Sequence, residues 1–210
     1  MKFFLSFFEI IFVYHFSRVL KVQLIIKYIN IPGINNSGPE HWQTHWEILY
    51  GKDMVRVNQN NWSHPEKHSW VKGLNDTVMS QSDDVILIAH SLGCITAAHW
   101  AEQFVAENIV AALFVAPADV ENSSSEKLKS FAPLPQLPLP FPTIVVASTN
   151  DPYAEITRAA EMANIWEAEL VKIGNVGHIN ASSGIGIWNQ GLDILQWLEK
   201  SNRNRHLLSA

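Results

Sequence analysis

The chain of 210 residues contains a single cysteine, Cys94. An internal disulfide is therefore excluded, and a reducing, cytoplasmic setting is the expectation. No C-x-x-C or similar spacing that would build a zinc site occurs. A basic excess is missing too: 15 Lys and Arg stand against 20 Asp and Glu, a net charge of −5. That balance argues against a nucleic-acid partner, which would require a basic stripe. There is no internal repeat. Long hydrophobic runs are also lacking. The most apolar stretch, "MKFFLSFFEIIFVYHFSRVL" (1–20), is interrupted by Glu9 and ends near His15 to Arg18. This falls short of the roughly 18 residues of a spanning helix. No A-x-A-like cleavage site follows it, and the chain passes directly into the next apolar run. Residues 1–20 are read as an apolar extension of undetermined role. Membrane attachment or export through it is the less favoured alternative.

What is present is enough apolar material for a full core: 47% hydrophobic residues with 17% charged. One domain over 21–200 is expected, with a tail over 201–210. Short apolar runs alternate with amphipathic segments. "VQLIIKYINI" (22–31), "DMVRVNQ" (53–59), "DVILIAH" (84–90), "IVAALFVAP" (109–117), "TIVVAST" (143–149) and "AELVKIG" (168–174) read as strands. Helices are expected over 39–50, with Pro39 at the first helical position and Trp42, Trp46 and Leu49 on one face. Others are expected over 65–80, after Ser91, over 152–166, and from Trp188 to Lys200. Continuous rather than alternating apolar strands indicate a parallel sheet covered on both faces. Repeated strand–helix units of this length give a doubly wound α/β fold of about six strands. Residues 121–142, "ENSSSEKLKSFAPLPQLPLPFP", are too short for a cap domain. Their prolines favour an extended path over the surface.

In such a sheet ligands bind beyond the carboxyl ends of the strands, so the residues at those ends carry the information. Ser91 follows the strand "DVILIAH" and precedes the helical "LGCITAAHWAEQF". That is the strand–turn–helix setting of a nucleophile elbow, here A-x-S-x-G with Ala89 in place of the usual glycine and Gly93 at the +2 position. A serine N-cap is the ordinary alternative. A serine hydroxyl needs a base, and the base needs an orienting acid. Asp151 lies just beyond one later strand and His178 a few residues beyond the next, in the order Ser, Asp, His. Asp119, after the preceding strand, is the second candidate acid. For the oxyanion hole, one backbone N–H is expected from Leu92. The other is expected from Ile34 or Asn35, in "IPGINNSGPEHW", where Gly33 permits a sharp turn. His41 and His45 have an i, i+4 spacing, but H-E-x-x-H is absent, so a metal is not expected. Trp42, Trp46, Trp62 and Trp70 are read as core and pocket packing. Cys94 is read as a packed residue of the elbow helix and not as a nucleophile.

Several blocks carry a family resemblance: "IPGINNSGPEHWQTHWE", "NWSHPEKHSWV", "IAHSLGC", "VAPAD", "LPFPTIVVASTNDPY" and "NVGHINASSGIGIW". In order and over about residues 24–198, they resemble the small serine hydrolases of the YdeN and retinoblastoma-binding protein nine family, closer to its bacterial branch. The resemblance implies a compact α/β-hydrolase fold without a large cap. It also implies nucleophile, acid and base at Ser91, Asp151 and His178. The expectation is a cofactor-independent hydrolase of small carboxylic esters, or of amides, with a pocket built by short loops such as "FAPLPQLPLPFP" and "SGPEHW". The alternative from another class is a hydrolase-fold interaction protein with little turnover.

Overall fold

The computed structural model describes residues 26–208. The apolar extension expected over 1–20 lies outside the described residues. Six strands, β1 (Ile26–Ile31), β2 (Met54–Arg56), β3 (Asp84–His90), β4 (Ile109–Val115), β5 (Thr143–Ser148) and β6 (Glu169–Ile173), form one sheet in the order β2-β1-β3-β4-β5-β6. Every neighbouring pair is parallel. The helices are α1 (Trp42–Tyr50), α2 (Lys67–Met79), α3 (Leu92–Gln103), α4 (Ile156–Ile165) and α5 (Asn189–Leu208). This is the doubly wound α/β arrangement that the strand pattern predicts, and it fits the compact α/β-hydrolase fold that the resemblance implies.

The central strands are apolar along their length because both faces are covered. β4 and β5 are buried at every position, while the edge strand β6 is buried only at Ile173. Alternate side chains go to opposite faces. Ile29, Ile31, Leu87, Ala89 and Phe114 meet Trp70 and Leu74 of α2, the apolar side of α3, and Met162 of α4. Tyr28, Ile86, Ile88, Leu113 and Val146 meet Trp42 and Trp46 of α1 and Leu195 and Leu198 of α5. Trp42, Trp46 and Trp70 are fully enclosed and Trp62 packs on the core. None of the helices described is long and apolar enough to cross a membrane.

Several boundaries differ from the sequence reading for identifiable reasons. Pro39 does not open α1. It occupies the second position of a turn closed by His41 N–H donating to Gly38 O (3.0 Å), and His41 then caps the helix by accepting from Gln43 N–H. Leu49 is exposed at the end of α1, so the core face of that helix is made by Trp42, Gln43 and Trp46. β2 has only three residues: Gly51–Asp53 form a 3-10 turn before it, and it ends at Arg56, three residues short of the expected end. The last helix, α5, runs past its expected end at Lys200 to Leu208. The proline-rich stretch is not simply a surface strap: Phe131, Leu134 and Phe141 are buried in the core.

Strand order reverses between β1 and β3, so the crevice beyond their carboxyl ends lies at a topological switch point, where open α/β sheets hold ligands. α3 starts there and crosses close over β1. A Cβ on Gly93 would sit 2.1 Å from Ile31 O and 2.9 Å from Pro32 O. Backbone cannot yield as a flexible side chain can. Gly93→Ala is therefore expected to destabilise the fold by about 3 kcal/mol, the upper end of the usual overpacking range. Urea unfolding would measure it, and a loss below about 1 kcal/mol would contradict this packing argument.

Candidate active site

Ser91 joins β3 to α3 with φ 55 and ψ −122, and its side chain makes no capping hydrogen bond. A positive φ is uncommon in a residue with a Cβ and persists only where the surroundings enforce it. Here Ser91 N–H donates to Val115 O (3.0 Å), and Ser91 O accepts from Cys94 N–H (3.0 Å) and Ala118 N–H (3.3 Å). The cap reading of Ser91 is thus replaced by an elbow that frees Oγ. Ala89 at the −2 position is fully buried between Ile31 and Phe114 of the flanking strands. Its methyl is accommodated within the sheet.

The loops after β5 and β6 bring Asp151 and His178 to this serine. His178 Nε2 lies 2.9 Å from Ser91 Oγ, and His178 Nδ1 lies 2.7 Å from Asp151 Oδ2. A carboxylate only accepts, so Nδ1 carries the proton and Nε2 accepts from the serine hydroxyl. The two loops are tied together below the pair. Ser148 Oγ donates to Gly174 O (3.0 Å) and Asn150 Oδ1 accepts from Gly177 N–H (2.7 Å), while within its own loop Asp151 Oδ1 accepts from Tyr153 N–H (2.9 Å).

A family model described as serine hydrolase matches residues 28–197. The chain belongs to the serine hydrolase family. Among solved structures, it is similar to a YdeN-like hydrolase from Pectobacterium atrosepticum, with 33% identity and a TM-score of 0.76, covering 89% of this chain and 97% of that one. The ydeN gene product of B. subtilis shares the fold at 20% identity and a TM-score of 0.67, over 83% and 98% of the two chains. So does an alpha-beta serine hydrolase homologue from Coxiella burnetii, at 16% identity and a TM-score of 0.55, over 84% of each chain. Comparison with curated proteins gives no match in sequence.

The other candidates of this serine hydrolase are sorted by their contacts. Asp119 is turned away from the imidazole to Arg158, 3.4 Å from its Oδ1, and accepts from Asn122 N–H, Asn122 Nδ2 and Glu121 N–H. Burial opposes its charge, but these donors and Arg158 together hold its pKa below the ordinary value. Cys94 is fully buried against Val115 O, and burial pushes its thiol pKa upward, so it stays protonated. Leu92 N–H, at the first turn of α3, has no intrahelical acceptor. Of the two loop candidates, Asn35 N–H is already donated to Trp62 O at 2.8 Å, which leaves Ile34 N–H. Gly33 has a different role from the one expected. The positive φ values fall on Asn35 (64) and Asn36 (63), whereas a Cβ on Gly33 would lie 2.8 Å from Ser91 Cβ and 3.3 Å from Leu92 N. Glycine is needed for close approach.

Above Ser91 lies a cavity of about 530 Å³, lined among others by Ile34, Ala118, Leu128, Tyr153 and Asn180. Ser123, Ser125 and Leu128 line it in place of the "FAPLPQLPLPFP" stretch expected from the sequence, while Gly38 and His41 do line it. The tryptophans of α1 have a task that the sequence reading did not assign. Trp42 Nε1 donates to Ile179 O (2.7 Å) and Trp46 Nε1 to Ile187 O (2.6 Å), pinning the loop that carries His178. Ile179 itself has φ 48, an outlier for a β-branched residue, immediately after that histidine. Only the i, i+4 spacing on a helix pointed toward a shared role for the two indoles.

His90, just before Ser91, donates Nε2–H to His178 O (2.9 Å). Its pKa lies well below the ordinary value, mainly from burial and then from His178 and His41. His41 is pushed down to about 4 by burial, then by Arg56, His178 and His45. Both rings are therefore neutral beside His178. In the unfolded chain they would bind protons near pH 6.5, so between that pH and about 4 the unfolded state holds more protons. Stability contributed by these groups is complete above pH 6.5 and declines as pH falls toward 4. His41→Asn retains a capping oxygen and removes the titration. Melting temperature should fall less steeply between pH 6.5 and 4.5 in that variant than in the wild type. Equal slopes by scanning fluorimetry would exclude His41 as a contributor.

Proposed function

We propose that the protein is a hydrolase of small carboxylic esters that acts through an acyl-enzyme on Ser91. The observation that carries this reading is the unbroken contact from Ser91 Oγ to His178 Nε2 (2.9 Å) and from Nδ1 to Asp151 Oδ2 (2.7 Å), on a serine held at φ 55. As Oγ attacks the ester carbonyl, His178 Nε2 takes its proton and then delivers it to the departing alkoxide. Asp151 holds the imidazole in the required tautomer and stabilises the imidazolium. The carbonyl oxygen, negative in the tetrahedral intermediate, is met by Leu92 N–H and Ile34 N–H, donors of a kind typically worth about 3–4 kcal/mol each. Water, deprotonated by the same His178, then releases the acid and restores the serine. No cofactor enters this sequence.

The cavity over Ser91 supports catalysis in preference to a pure interaction role, which would be served by a flat surface. Its side walls mix Ile34, Ala118 and Leu128 with Asn180, Ser182 and Asp119, and among the described residues no lysine or arginine lines it. That lining suits short, uncharged acyl groups.

A fluorophosphonate probe should label the wild-type chain and fail on Ser91→Ala. Equal labelling of the two would refute Ser91 as nucleophile. Asp151→Asn should keep the fold but lower kcat on a short-chain ester by about 10⁴-fold, as the imidazole adopts the wrong tautomer. Retention of kcat within about tenfold would remove Asp151 from this role, since loss of an orienting acid costs orders of magnitude more.

A further inference from the structure

We infer that Arg56, which touches none of the reacting groups, is a positioning residue that sets the oxyanion loop 33–38. The inference rests on the Ser91 acyl-enzyme reading and adds to it the part that holds Ile34 N–H in place. The loop is costly to maintain by itself, because Asn35 and Asn36 are consecutive residues in the left-handed region. Its internal ties are few. Asn36 N–H donates to Gly33 O at 3.2 Å, closing a turn around Ile34 and Asn35, and Ser37 N–H donates to Asn36 Oδ1 at 2.8 Å. The remaining hold comes from outside the loop.

Arg56 ends β2, the edge strand beside β1, and all five of its guanidinium N–H groups are used. Nη1 donates to Asn36 Oδ1 (2.7 Å) and to Ser37 O (2.9 Å), both in the loop. Nη2 donates to Thr44 Oγ1 (2.7 Å) and Glu47 Oε2 (2.9 Å), and Nε to Glu47 Oε1 (2.6 Å), all on α1. The fork thus spans loop and helix in one plane. The helix side is itself anchored. Glu47 Oε1 also accepts from the amide of Asn30, which is fully buried in β1, and Thr44 Oγ1 donates to Ser37 O at 2.8 Å. Gln43 completes the ring by receiving Ser37 Oγ–H at 2.6 Å and donating to Asn30. The loop carrying Ile34 is consequently referenced to β1, the strand adjacent to the elbow strand β3. A donor must lie within a few tenths of an ångström of its oxyanion position to be effective. A guanidinium fork fixes such a distance, whereas a lysine ammonium supplies the charge without the planar span.

The test is Arg56→Lys, with kcat counted per fluorophosphonate-titrated site. Removing an oxyanion donor outright costs about 10²–10³ in kcat, so displacing one should lower kcat by about 10- to 100-fold. KM should stay within about threefold, because the interaction is made mainly in the transition state. Inhibition by a trifluoromethyl ketone, which forms the same oxyanion on Ser91, should weaken by the factor lost in kcat/KM. The pH dependence of kcat/KM should keep its shape, since the Ser91–His178–Asp151 contacts are unaltered. Asn36→Gly is the second variant. It tolerates the positive φ and removes only the acceptor of Arg56 and Ser37 N–H, and it should lose kcat in the same sense.

A merely structural Arg56 would lower the melting temperature and the titrated fraction, leaving kcat per site and ketone inhibition at wild-type values. That result in either variant overturns the inference and leaves the Ser91 reading intact. A wild-type chain that the probe does not label overturns both.

Discussion

Ser91 sits at φ 55 between β3 and α3, and the arrangement around it follows from keeping a side-chain-bearing residue in that backbone state. The sheet supplies one restraint through Val115 O and the first turn of α3 another through Cys94 N–H. The helix can begin there only because Gly93 has no Cβ to meet Ile31 O, and the neighbouring loop can close only because Gly33 has none to meet Ser91. Such strain is tolerated when surrounding packing over-determines it. The fully buried central strands and the α3 face provide that packing.

Once the elbow is fixed, each other part of the site is delivered by a separate anchor. Asp151 and His178 arrive on loops cross-linked through Ser148 and Asn150. The histidine loop is also held from behind by Trp42 and by His90, whose contact goes to the His178 carbonyl. The loop 33–38 is held by Arg56 and the Asn30–Gln43–Glu47 group. α1 serves both loops: its indoles face the core and the histidine loop, and its polar residues face the loop 33–38. Neutral His41 and His90 complete the surroundings of the His178 ring.

The parallel sheet, Ser91, Asp151 and His178 were legible in the chain because their signals are local. Continuous apolar runs such as "VILIA" mark doubly covered strands, and strand ends mark the crevice. Asp119, the second candidate acid, drops out because Asn122, Glu121 and Arg158 take its carboxylate while Asp151 meets His178. Similarly, Gly33 was expected to make a turn, but its reason is a contact with a residue 58 positions later. Pro39 and the "FAPLPQLPLPFP" stretch were misplaced because one residue pattern serves a helix start or a turn, a surface strap or a buried flank. Packing against other elements chooses between them.

By itself the sequence determined the class of fold, the placing of Ser91, Asp151 and His178 at successive strand ends, and the exclusion of an internal disulfide, since these depend on residue type and short-range spacing. Only the tertiary structure decided that Ser91 is an elbow and not a cap, and that Ile34 and not Asn35 has its N–H free. It also decided that Arg56 reaches Asn36 and Ser37 of the loop 33–38. The reason is common to all three. Each turns on which hydrogen-bond partner a group finds across the fold, and that partner lies on another element.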